Sequence, residues 1–230
     1  MPDRPWVMTQ TWSALLFAHW PVDAAQLRDK IPRAFDLDLF DGEAWLGVVA
    51  FVMTNVAPRG VPALPWMSAF PELNVRAYVR VGDRPGVYFL SLDAGNALAA
   101  GMARLLVNLP YHAASMTVTR AGAAVHYESR RRRGHGELSV TYQPDGGVFE
   151  ATPGSREAFL TERYCLYALD HAGRPYRLDI HHPPWRLQPA RASLAQNTMA
   201  EANGVTLSRS TPLLHFSERQ DVVAWLPCKI

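Results

Sequence analysis

Three polar residues stand at alternate positions in an otherwise apolar stretch: Glu72, Asn74 and Arg76 in Phe70-Pro71-Glu72-Leu73-Asn74-Val75-Arg76. Residues two apart share one face of a β-strand, so a carboxylate, an amide and a guanidinium would stand in line. If that face looks into an enclosed space, burial raises the carboxylate's pKa unless the arginine offsets it. Glu72 then becomes a candidate general acid or base. The same spacing also suits a solvated face, or a buried Glu–Arg pair that only organises structure. A second set is Arg104 with Leu109-Pro110-Tyr111-His112. A phenol beside an imidazole suits proton transfer, and a planar guanidinium suits a substrate carboxylate. As plain loop and outer-helix residues, the same three would carry no chemistry.

Other polar clusters are weaker. Adjacent histidines such as His181-His182 point to opposite faces of a strand and chelate poorly, and no ligand spacing matches a metal centre, so no metal is expected. Arg130-Arg131-Arg132-Arg133 ends a strand ahead of Gly134 and reads as a solvated hairpin tip. There is no phosphate-cradling glycine loop, dinucleotide fingerprint or nucleophile elbow, and no cofactor is expected. A net charge of +2 gives no reason to expect a nucleic-acid partner. Cys165 and Cys228 make no disulfide framework. No apolar run of about 18 residues suggests a membrane span, and no leader segment is visible, so the bacterial cytoplasm is the default location.

The elements that must position these residues can be read from periodicity. The 230 residues are 48% hydrophobic, without repeats or linkers, and predict one domain over 1–230. Strands are expected at Thr9–His19, Ala44–Met53, Leu73–Val81, Val87–Leu92, Ser115–Arg120, Ala123–Arg131, Gly136–Tyr142, Tyr164–Tyr167 and Tyr176–His181. Leu213–Ser217 and Val222–Leu226 suggest a terminal hairpin, and Val56–Pro65 a loop. Asp23 caps a short helix carrying Leu27 and Ile31. Helices are also expected at Asn96–Asn108 and Ser155–Thr161. The sum is an α+β fold dominated by a β-barrel or closed sheets, with a few peripheral helices.

The segments His19-Trp20-Pro21-Val22, Phe40 to Gly47, Phe70 to Val79, Gly86 to Ala94, Leu109 to Ala113, Phe159 to Tyr164 and His182-Pro183-Pro184-Trp185 together resemble the YqjF-like domain-of-unknown-function family. That family is grouped with the acetoacetate decarboxylase-like superfamily. The resemblance implies a cone-shaped β-barrel with its active site inside, and leaves room for a homo-oligomer. The superfamily's decarboxylases carry a lysine pair just after a proline, with an arginine six residues before it. By resemblance that proline is Pro110, the arginine is Arg104, and the lysine pair falls on Tyr111 and His112. The glutamate after the arginine becomes Leu105. One pocket glutamate corresponds to Glu72, and another falls in the apolar stretch Gly47 to Phe51. A Schiff base needs a primary amine. The chain's two lysines, Lys30 and Lys229, lie outside the segments that resemble the pocket.

The expectation is therefore a small-molecule pocket doing lysine-free acid–base work on an anionic or carbonyl-containing compound. Glu72, Tyr111 and His112 would be catalytic, and Asn74, Arg76 and Arg104 would bind substrate. Enolisation, hydration or dehydration, and ring closure all fit. A non-catalytic metabolite binder, or a catalytically dead homologue, is the alternative.

Overall fold

The computed structural model describes residues 2–62, 69–96, 107–207 and 210–230. Its centre is an antiparallel run of β1 (Met8–Val22), β3 (Ala44–Pro58), β4 (Phe70–Val81) and β5 (Arg84–Ala94), with the two-residue β2 (Asp36–Leu37) at the far end of β4. β6 (Tyr111–Ala121), β7 (Ala124–Arg131) and β8 (Glu137–Pro144) continue from β5, and β11 (Gln188–Asn197) links β8 to β12 (Leu213–Ala224). β12 returns to β1. The circuit β5-β6-β7-β8-β11-β12-β1-β3-β4 closes a nine-stranded barrel. β9 (Cys165–Leu169) and β10 (Pro175–His181) form a second, shorter bridge from β5 to β12, and β13 (Cys228–Lys229) flanks β10. β5 and β12 thus each offer one edge to two successive partners.

Among the described residues, two short α-helices lie outside the sheet. In α1 (Ala24–Arg28) the Asp23 carboxylate accepts the Ala25 N–H at 2.9 Å, the capping expected from sequence. Leu27 and Ile31 are buried. In α2 (Arg156–Thr161) the Ser155 hydroxyl accepts from Ala158 N–H at 3.2 Å. No helix among the described residues is long and apolar enough to cross a membrane.

β4 is buried on both faces. Leu73, Val75, Ala77 and Val79 join Leu16, Ala18, Leu46, Val48, Tyr127 and Tyr142 in the larger core. The opposite face of the sheet belongs to a second core of Phe17, Val49, Phe51, Ala94, Trp185 and Leu187. Glu72 and Asn74 lie on this second face, only 4% and 5% exposed. The solvated-face reading of the segment is therefore excluded.

Several expectations need correction. Leu213 to Ala224 is one strand, not a hairpin. Its polar middle, Glu218 to Asp221, looked like a turn, but cross-strand partners satisfy it. Arg120 pairs with Glu218 at 2.7 Å, and Thr11 donates to Asp221 at 2.7 Å. β3 runs on to Pro58, into the expected loop. β11, whose side chains are weakly patterned, was not foreseen. The arginine run is not wholly solvated: Arg131 is 8% exposed and meets Asp93 at 2.9 Å. The helix expected over Asn96–Asn108 falls mostly outside the described residues, as does Arg104 altogether.

Candidate active site

Glu72 sits on a central strand, paired with Phe51 of β3 and Ala94 of β5. Its backbone carbonyl accepts the Tyr127 hydroxyl at 2.7 Å. The small Ala94 and the aromatic Phe51 leave the carboxyl in apolar surroundings. Burial pushes its pKa up to about 7, the Tyr111 hydrogen bond pulls it down, and the charge of nearby Asp93 raises it.

Tyr111 arrives by a tight turn. Its N–H donates to Leu109 O at 2.8 Å around Pro110, and Leu92 N–H donates to Pro110 O at 3.0 Å. This sets β6 parallel to β5, with Tyr111 opposite Leu92. Tyr111 and His112, which could read as plain loop residues, are therefore the first two residues of a strand. The half-buried Tyr111 side chain donates to Glu72 Oε2 at 3.0 Å. Burial and the neighbouring carboxylate hold its own pKa well above the ordinary phenol value.

Asn74 and Arg76 continue along the face of Glu72. Arg76 Nη2 donates to Leu160 O at 2.9 Å and its Nε to the Tyr78 hydroxyl at 3.2 Å, so α2 fixes the guanidinium. His112 pairs in register with Asp93 and projects to the other face of β6, away from Tyr111. Register thus gathers Glu72, Asn74, Arg76 and Tyr111 and leaves His112 aside.

The sequence reading gave no role here to His19, Tyr78 or Gly47. His19 is fully buried, and its Nε2 lies 2.7 Å from the Tyr78 hydroxyl, which donates to Leu160 O at 3.0 Å. Burial, reinforced by the Arg76 charge, holds the imidazole well below its usual pKa. The available signal was the run Leu15, Phe17, His19 on one face of β1. Gly47 lies between His19 and Arg76 in register. A Cβ there would stand 3.1 Å from both the His19 ring and the Tyr78 hydroxyl, and 3.2 Å from Arg76 Cγ. Gly47→Ala should cost about 1–3 kcal/mol in urea denaturation through crowding. An unchanged midpoint would show that the three side chains yield freely.

Both lysines lie elsewhere. Lys30 Nζ stands where a Cβ on Gly204 would be 2.7 Å away, and Asn203 beside it bonds Ser91 on the larger-core face. Lys229 is exposed on β13.

The DUF2071 family model, described as an uncharacterized conserved protein, matches residues 9–221. The chain belongs to that family. As a DUF2071 protein it is 43% identical over 226 residues to the uncharacterized protein YqjF of Bacillus subtilis (strain 168), covering 98% of this chain and 93% of that one. Among solved structures, an acetoacetate decarboxylase superposes with a TM-score of 0.68 at 13% identity, over 99% of this chain and 90% of that one. An acetoacetate decarboxylase-like enzyme from Sphingomonas wittichii RW1 gives 0.66 at 13%, over 99% and 94%. The enduracididine biosynthesis enzyme MppR complexed with pyruvate gives 0.66 at 10%, over 100% and 91%. At such identities the likeness establishes the fold. This DUF2071 chain has the acetoacetate decarboxylase-like barrel, as its sequence segments implied.

Proposed function

We propose that this protein is an acid–base enzyme acting on a small carbonyl or carboxylate compound without a Schiff base, with Glu72 moving the proton. The Glu72–Tyr111 contact carries the reading: a buried carboxyl titrating near neutrality, with one oxygen held by a phenol. A group with a pKa near the working pH is populated in both states and transfers protons efficiently. Tyr111 fixes Oε2, which leaves Oε1 to take a proton from the carbon next to a carbonyl. The C–H electron pair moves into the enolate, and return of a proton from the Glu72 carboxyl to that carbon regenerates the carboxylate. Tyr111 is the partner in this scheme, because His112 faces the other way. Arg76 supplies positive charge for a substrate carboxylate. Asn74 orients its polar end. The pyruvate-bound neighbour supports a 2-oxo acid as the first compound to try.

The test is exchange of the pyruvate methyl protons in D2O, followed by proton NMR. Wild type should catalyse it, and Glu72→Gln should lose at least about 100-fold. Equal rates in the two proteins would end the proposal. Borohydride with acetoacetate should leave no adduct by mass spectrometry, and an adduct on Lys30 or Lys229 would restore the amine route.

Tyr111→Phe gives a separate check. The lost hydrogen bond lowers the Glu72 pKa when present, so the variant's carboxyl should titrate above its wild-type position. Carbon-13 NMR of labelled glutamate reads this directly. A downward shift would contradict the assigned contact.

A further inference from the structure

Among the described residues, five buried polar atoms on the Glu72 face have no hydrogen-bond partner: Trp45 Nε1, two residues along β3 from Gly47, and Asn74 Oδ1, His19 Nδ1, His215 Nδ1 and Ser217 Oγ. Their residues are each at most 5% exposed. Register puts them on one face of adjoining strands. Asn74 pairs with Val49, Val49 with Phe17, and Phe17 with His215. Ser217 is two residues along from His215, and His19 two from Phe17. An unmatched buried polar atom is costly, and several aligned on one face point to something that completes them.

Hydrogen-bond accounting says what one of them requires. The Tyr78 hydroxyl has one proton and two lone pairs. It contacts Leu160 O, which only accepts; Arg76 Nε–H, which only donates; and His19 Nε2. All three are satisfied when Tyr78 donates to Leu160 and accepts from both Arg76 and His19. The neutral His19 ring then carries its proton on Nε2, and Nδ1 is a bare acceptor. Asn74 Oδ1 is a bare acceptor as well. An occupant must bring donors for these two atoms and an acceptor for the Trp45 N–H, and a hydroxyl group is both. The Arg76 guanidinium shares the Tyr78 hydroxyl with His19, so an ammonium group would be repelled, whereas hydroxyl groups carry no such penalty. Asn74 and His215 are three strand spacings apart, about 14 Å between Cα atoms. One small group cannot serve both ends, but a chain bearing spaced hydroxyls can.

We propose that His19, Asn74, His215 and Ser217 form a hydroxyl-binding subsite and that the substrate is a polyhydroxylated carboxylate or carbonyl compound. This rests on the reading that a metabolite reaches Glu72.

Long-range proton–nitrogen NMR of histidine-labelled protein should show His19 as the Nε2–H tautomer, and an Nδ1–H tautomer would overturn the assignment. Gluconate should bind at least about tenfold more tightly than hexanoate, a chain of equal length without hydroxyls, and should shift the His19 Nδ1 resonance. Ser217→Ala, a mild truncation, should weaken gluconate binding about three- to tenfold. Gluconate no better than hexanoate, including no binding by either, would overturn the subsite. Glu72→Gln separates the two proposals. Gluconate selectivity should survive in that variant while proton exchange is lost. Selectivity in wild type without pyruvate exchange would sink the enzyme reading alone, and exchange without selectivity would sink the subsite alone.

Discussion

Glu72→Gln is expected to abolish proton exchange and, above neutral pH, to make the protein more stable than wild type. An ordinary glutamate titrates near 4.5, and in the fold this one is raised to about 7. Below 4.5 the carboxyl is protonated in both folded and unfolded chains, and its contribution is fully present. Between 4.5 and 7 the unfolded chain ionises while the folded one resists, so stability is lost as pH rises through that window. The loss is about 3 kcal/mol once both states are charged. Glutamine is isosteric, carries no charge, and still offers an oxygen to Tyr111. The stability difference between variant and wild type should therefore be near zero at pH 4.5 and reach about 3 kcal/mol by pH 8. In thermal unfolding this is roughly 6–12 °C for a chain of this size. A difference that is flat with pH would mean that Glu72 is not the perturbed group. An inactive Gln variant with this stability signature would be hard to explain by misfolding.

Arg131→Met should be the most destabilising single change outside the apolar cores, at about 3–5 kcal/mol. Asp93 is fully buried. Arg131 reaches it through Nε at 3.0 Å to each oxygen and through Nη2, and also donates to the Ser91 hydroxyl at 2.6 Å. Asn203 donates to the same hydroxyl at 2.9 Å, tying the 3-10 turn Glu201–Asn203 to β5. Removing the arginine strands a buried carboxylate. Adding Asp93→Asn to the variant should recover much of the loss, and a double-mutant cycle in urea measures the coupling. Losses that simply add would show that the pair is not the source. Because the Asp93 charge helps raise the Glu72 pKa, the double variant should also titrate Glu72 below its wild-type value.

The alternation around Glu72 was legible because β4 is a central strand and its two faces differ in chemistry at every step. The Asp23 cap and the short helix ending at Thr161 were legible because such signals are local, though Ser155 proves to be the second helix's cap rather than its first residue. What stayed hidden depends on contacts distant in sequence. Arg131 sits in an arginine run whose other members are exposed, and only the fold shows that this one turns inward to a carboxylate on β5. His19 looked like one more residue of an aromatic strand. Its importance comes from Tyr78, Arg76 and a carbonyl of α2, none nearby in sequence. The middle of β12 failed as a strand on composition alone, since its charges find partners on β1 and β6. Tyr111 could be named from the resemblance, but its direction could not. A proline turn and a parallel pairing decide that it, rather than His112, meets the carboxylate.

The pairing of β1 with β12 has a consequence for biogenesis. β1 finds one of its two neighbours only when β12, far downstream, appears. During vectorial synthesis β1 can zip to β3, but its other edge stays open and adhesive until β12 has emerged from the ribosome. Closure is a late, non-local event, so folding should be slow for the protein's size and sensitive to anything that delays release.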